Sequence, residues 1–317
     1  MSHLMSNIDA RTKLAGTNKL EILLFTLGTS AHTGRRETFG INVFKVREVM
    51  RAPAITHAPE MPPAVEGMVS LRGKLVPVID LAKYTGIDTD AQTQIMVVTE
   101  YSGHVQGFLV EAVDTILRLD WSAMRVPPEM LMAQMGGLVT AVTELPDGRL
   151  VMMLDVEKVL AETSRRDDAF LYKNIRPFKC SDKSDPTVFF ADDSMVARKQ
   201  IERTLDTMNV KHISTANGLQ AWVELQKIAD YAETTHTEVK DVIKLILTDV
   251  EMPEMDGYML TKKIKSDSRF SGIPVVMHSS LSGGSNRELG MSVGVDEYVS
   301  KIEPQQLADT LARMLAA

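Results

Sequence analysis

The chain has 317 residues, enough for about two domains at roughly 100–200 residues each. Its hydrophobic (44%) and charged (24%) fractions are those of an ordinary globular protein, and a net charge of −7 argues against a protein built to grip nucleic acid, which needs clustered Lys and Arg. The lone cysteine, Cys180, excludes an internal disulfide, no apolar run approaches the roughly 18 residues of a membrane-spanning helix, and the opening MSHLMSNIDA lacks the form of a secretion signal; a cytoplasmic protein without direct membrane insertion is expected.

From Leu20 to about Leu154 the chain reads as many short β-type segments, among them Leu20–Leu27, Thr38–Val43, Leu75–Ile79, Gln94–Thr99, His104–Val110 and Leu150–Leu154. Gly, Pro and Asn punctuate them at short intervals, as in a barrel or sandwich. Within Val65–Leu81 two strand-like runs are joined by Arg72-Gly73-Lys74, where Gly73 permits a tight turn from which Arg72 would project. A short helix is expected at Val156–Glu162. No nucleophile–base pair, metal-ligand cluster or phosphate loop precedes Leu160, and His32, His57 and His104 are scattered, so this half reads as a binding module. The stretch between Thr163 and Pro186, dense in charge and small polar residues, reads as a linker, although Phe170, Leu171 and Tyr172 could dock on a neighbouring domain. The resulting domains are 18–162, a linker at 163–186, and 187–317.

From Thr187 the rhythm changes to alternating strands and helices. Strand-like runs are Thr187–Ala191, Lys211–Thr215, Ile243–Thr248, Ile273–His278 and Asp296–Ser300, with amphipathic stretches such as Met195–Met208, Leu219–Tyr231 and Gln305–Leu315 between them. Five strands alternating with helices imply a doubly wound parallel α/β sheet, whose functional groups gather at the carboxyl ends of its strands. Three acids occupy that edge: Asp192 and Asp193 after the first strand, Asp249 after the third. Taken singly, each could cap a helix. Taken together they repel, by about 4 kcal/mol for two unit charges roughly 4 Å apart at an effective dielectric near 20, and so ask for a cation. Hard oxygen donors suit Mg²⁺, which would also neutralise an arriving phosphoryl group. The fourth strand runs into Ser279, a hydroxyl donor, and the fifth ends Tyr298-Val299-Ser300-Lys301, placing an ammonium at the same edge.

These residues, with Met252-Pro253-Glu254-Met255-Asp256-Gly257 after Asp249 and Ile273-Pro274-Val275-Val276 before Ser279, resemble the receiver domains of bacterial response regulators over about Thr187–Leu315. The resemblance implies that Asp249 takes a phosphoryl group from a phosphohistidine on a partner kinase. It also implies that Asp193, Asp249 and the backbone carbonyl of Glu251 ligate Mg²⁺, with Asp192 acting mainly through metal-bound water. Ser279 and Tyr298 match the family's switch pair, and Lys301 its phosphoryl-contacting lysine. One departure is Ile302, where the family usually has proline; a trans bond is expected there, because a non-proline cis bond costs roughly 2.5–4 kcal/mol.

In the first half, Phe39-Gly40-Ile41-Asn42-Val43, Val46-Arg47-Glu48-Val49, Ile55 to Pro63, Gly67-Met68-Val69-Ser70-Leu71-Arg72-Gly73 and Val76-Pro77-Val78-Ile79-Asp80-Leu81 resemble CheW-like coupling domains. The resemblance implies an all-β double barrel that bridges chemoreceptor cytoplasmic tips to the histidine kinase CheA, with Arg72 and Gly73 near the partner surface. A CheW-like domain ahead of a receiver is similar to the arrangement of CheV-type proteins. The combined expectation is a chemotaxis adaptor, recruited to membrane-bound receptor arrays and tuned by Mg²⁺-dependent phosphorylation. A phosphate sink for CheA is the alternative. An aspartate-nucleophile phosphatase of the haloacid dehalogenase type is remote, since Glu251 stands where that family has its acid Asp and no cap domain is evident.

Overall fold

Strands in the N-terminal half follow from short apolar runs broken by turn residues. The computed structural model describes residues 19–57, 59–89, 94–101, 104–163, 169–178, 186–280, 284–301 and 304–316; Cys180 and Ile302 lie outside them. Two compact units emerge, one of them Leu20–Arg165 and the other including Arg166–Ala317. The first carries β1 (Lys19–Thr29), β2 (Arg36–Asn42), β3 (Val46–Arg51), β4 (Val65–Leu71), β5 (Lys74–Asp80), β6 (Ile95–Tyr101), β7 (His104–Val110), β8 (Ala112–Asp120), β9 (Val139–Glu144) and β10 (Leu150–Leu154). Short helices α1 (Leu81–Thr85), α2 (Glu129–Gln134) and α3 (Val156–Thr163) accompany them.

Those strands form two five-stranded sheets, in the orders β8-β1-β2-β10-β9 and β3-β6-β7-β5-β4. Alternation gives each sheet two apolar faces. Leu20, Ile22, Leu24, Val151 and Met153 fill a core belonging to the first sheet, and Val69, Val76, Val78, Met96 and Val98 one belonging to the second. The opposite faces meet in a shared core, where Leu23, Phe25, Phe39 and Ile41 of the first sheet join Ile79, Val97 and Phe108 of the second. Closing one core between two sheets and another behind each is what makes this half all-β.

The second unit has α4 (Ala169–Tyr172), β11 (Thr187–Ala191), α5 (Met195–Thr207), β12 (Lys211–Thr215), α6 (Gly218–Thr235), α7 (Val239–Val242), β13 (Leu245–Thr248), α8 (Gly257–Ser266), β14 (Val275–Ser279), α9 (Gly284–Ser292), β15 (Glu297–Ser300) and α10 (Pro304–Leu315). Its five strands pair in parallel in the order β12-β11-β13-β14-β15. The central strands are apolar throughout because both faces are covered. Phe189, Ala191, Ile246 and Val275 pack with residues of α6 and α8 on one face. Val188, Phe190, Leu245, Leu247 and Val276 pack with α5 and α10 on the other. The order reverses beside β11, so the carboxyl ends of β11 and β13 flank a switch point.

Two local features adjust the sequence expectation. Past the amphipathic stretch that ends at Tyr231, the polar residues Ala232–Asp241 lengthen α6 to Thr235 and then enter α7. Arg269 pins that extension, pairing with Asp230, Glu233 and Asp267. This stretch leads into the amino end of β13, the sheet edge opposite the acids. Ahead of the receiver-like sheet, Tyr172 and Ile175 are buried with Leu307, Ala308 and Leu311 of α10. The Arg203 guanidinium lies 4.2 Å from the centre of the Tyr172 ring, and Phe178 N–H donates to the Met208 carbonyl.

Candidate functional site

The proposed acids, Ser279 and Lys301 sit at or just past the carboxyl ends of strands. Asp192 follows β11 and Asp249 follows β13; the Asp192 N–H donates to Thr215 and the Asp249 N–H to Ala191, so the parallel ladder sets both positions. Carboxylate oxygens of Asp192, Asp193 and Asp249 lie within 4.8 Å of one another. Asp192 is fully buried, Asp249 nearly so, and Asp193 half-buried. Lys301, just past β15, reaches back with its ammonium 2.7 Å from Asp192 Oδ2 and 3.0 Å from Asp249 Oδ2. That side chain is only 7% exposed, so its charge is screened little by water.

Local hydrogen bonds hold the acids in place. Asp192 Oδ1 accepts from the Ser194 N–H, and Ser194 caps α5 by accepting from Ala197. Asp249 Oδ1 accepts from the Val250 N–H at 2.7 Å, and the Thr248 hydroxyl donates to the Asp249 carbonyl. Behind Asp249 the start of α8 comes very close: a Cβ on Gly257 would lie 2.0 Å from the Asp249 carbonyl oxygen, so only glycine fits there. Asp256 caps that helix, accepting from Met259.

Ser279 is buried at the end of β14, and its carbonyl accepts from the Lys301 N–H. Tyr298 is buried on β15 and hydrogen-bonds Ser279. Burial pushes the Tyr298 phenol up to about 12, against a smaller lowering by Ser279. The buried Tyr258 phenol is raised still further, first by burial and then by the charges of Tyr298, Glu251, Asp256 and Asp249 around it. Glu251 is itself buried two residues beyond Asp249. Oxygen-only donors crowded at a buried rim fit a small hard divalent cation, and no softer ligand stands among the described residues of this cluster.

Comparison with known proteins bears on both halves. Residues 21–164 match the CheW-like domain and residues 188–312 the response regulator receiver domain. Chemotaxis protein CheV1 of Helicobacter pylori is 28% identical over 340 residues, covering 99% of each chain. Chemotaxis protein CheW of Klebsiella aerogenes is 31% identical over 161 residues, 50% of this chain and 92% of that one. Chemotaxis protein CheY1 of H. pylori is 34% identical over 126 residues, 39% of this chain and 92% of that one.

The chain belongs to the CheV family.

It is thus a chemotaxis coupling adaptor with a receiver domain, and no described helix is long and apolar enough to cross a membrane. In the CheW-like domain, Arg72 and Gly73 form the two-residue turn between β4 and β5, with φ of 51° and 80°. Turns of this kind favour Asn-Gly, and a left-handed arginine costs roughly 1–2 kcal/mol. Arg72 is largely exposed and pairs with Glu48 on β3 at 2.9 Å. A strained, exposed cation is the observation that singles out this turn.

The sequence reading missed Thr248, Tyr258, Glu48 and Arg198. Arg198 had a legible signal: it lies near the amino end of α5, where the helix dipole disfavours a cation unless something local holds it. The hydrogen-bonded pair of Ser279 and Tyr298 makes a testable expectation. Tyr298 has a pKa raised above its unfolded value of 10.0, so its contribution to stability is complete below pH 10 and is lost as pH rises through about 12. The phenolate absorbance of wild type minus Tyr298→Phe should therefore show one group titrating near pH 12; a midpoint near 10 would contradict the buried placement.

Proposed function

We propose that the CheW-like domain couples chemoreceptor cytoplasmic tips to the histidine kinase CheA, and that the receiver domain tunes this coupling when Asp249 is phosphorylated. The observation that carries the proposal is the meeting of Asp192, Asp193 and Asp249 at one sheet edge, with Lys301 bridging two of them. In this reading an Asp249 carboxylate oxygen attacks the phosphorus of a kinase phosphohistidine. The new P–O bond makes an acyl phosphate as the P–N bond breaks, and the imidazole leaves with the electron pair. Lys301 exchanges its contact with Asp249 for the arriving phosphoryl oxygens.

Asp193, Asp249 and the Glu251 carbonyl would hold Mg²⁺, with Asp192 acting through bound water. The ion would supply charge neutralisation of the phosphoryl group. Ser279 would turn its hydroxyl toward a phosphoryl oxygen and release Tyr298, whose buried phenol then repacks. The phosphorylated side chain carries about −1.5 to −2 charges, and because the Asp249 carboxylate already carried −1, the site gains about one negative charge. The protein acts as an adaptor; the receiver catalyses only its own phosphorylation and hydrolysis. Recruitment to membrane-bound receptor arrays follows from those partners.

Two substitutions test the two halves separately. Asp249→Asn should abolish labelling by phospho-CheA or a small phosphodonor while the melting temperature holds; labelling that persists would move the phosphoacceptor elsewhere. Arg72→Glu should weaken capture by CheA's regulatory domain by about tenfold or more, the scale of an interface hot spot, and unchanged affinity would remove Arg72 from the contact.

A further inference from the structure

We propose that Arg198 is a positioning residue for the acid pair, a claim that rests on the acid cluster holding Mg²⁺. Its Nη1 donates to the main-chain carbonyls of Asp192 at 2.7 Å and Asp193 at 2.9 Å. These are consecutive residues, and their carboxylates form two of the three corners of the cluster. The β11 ladder ends immediately before them: Ala191 is its last residue, and Asp192 N–H to Thr215 is the final rung on that side. From that point the strand no longer fixes the peptide planes. The guanidinium takes over, holding two successive carbonyls while the Ser194 N–H holds Asp192 Oδ1 from the other side of the turn. With the peptides flanking Asp193 fixed, the direction in which its side chain leaves the backbone is fixed as well.

Two effects of opposite sign meet in this one side chain. As a bare positive charge beside the acids, Arg198 would repel a metal cation and weaken its binding. As a clamp it spares the acids the ordering they would otherwise undergo when a cation binds, and so strengthens binding. Among the described residues its hydrogen bonds go to carbonyls and none goes to a carboxylate. That arrangement neutralises no acid and orients two, which points to the clamp. Outer groups that orient metal ligands commonly change metal affinity by 10–100-fold when removed.

The test uses the full chain as wild type, Arg198→Met and Arg198→Lys, titrated with MgCl₂ alone and followed by the NMR shifts of the Asp193, Ser194 and Val250 amides. Melting temperatures are measured without metal. The clamp predicts about tenfold weaker Mg²⁺ binding for Met, a smaller loss for Lys, which keeps the charge and one point of donation, and near wild-type metal-free melting for both. Equal or tighter binding by Arg198→Met, with wild type binding normally, would overturn the clamp and leave the acid site standing. A wild type that does not bind Mg²⁺ would overturn the acid-site reading and this inference with it. Should the Met variant not fold, Arg198→Lys carries the same comparison, and unchanged affinity there overturns the proposal.

Discussion

Three carboxylates at one rim of a sheet, two of them buried, repel one another, and the receiver half is arranged around that repulsion. Lys301 supplies one positive charge to the three negative ones, so acids and lysine together still carry −2. That residue matches the charge of a divalent cation. It also explains why the acids are so firmly tethered: Asp192 by Ser194 and Lys301, Asp249 by Val250 and Lys301, and the acid-pair backbone by Arg198. Without those ties the acids would separate. With them, the site keeps a local negative potential that a divalent cation would relieve.

Much of this half was legible in the sequence for a physical reason. Parallel strands covered on both faces must be apolar along their whole length, so TVFFA and LILT declare themselves, and an acid directly after such a run has few roles in packing. The helix capped by Ser194 starts at Met195, where the amphipathic stretch is expected to begin. What the sequence hid were contacts made at a distance. Tyr258 looks like any buried aromatic until the acids surround it.

The CheW-like half was harder to read because its strands mix faces. VREVMR and AVDTILRLD carry charge on their exposed positions, and neither forms a clean apolar run, so β3 and β8 escaped notice. The hairpin around Arg72 and Gly73 was visible, but the left-handed conformation of Arg72 was not, since nothing in the residue type requests it. The segment ahead of the receiver reads as a linker whose Phe170, Leu171 and Tyr172 could dock on a neighbouring domain; Tyr172 is built into the same core as α10, and Ile175, which the sequence did not single out, joins it. The polypeptide entering the receiver is therefore fixed to that core at those two points.

A receiver can bias an adaptor only by interacting differently with its partners in two states. In the proposed function, charge arriving at Asp249 changes how the whole chain couples receptors to the kinase, which separates a tuned adaptor from a tethered acceptor of phosphoryl groups. The most direct measurement is receptor-coupled CheA activity reconstituted with this chain, with and without beryllofluoride in the presence of Mg²⁺. Beryllofluoride, which mimics the phosphoryl group without being consumed, should change kinase activity. Activity unmoved by a receiver shown to be saturated with beryllofluoride would contradict it.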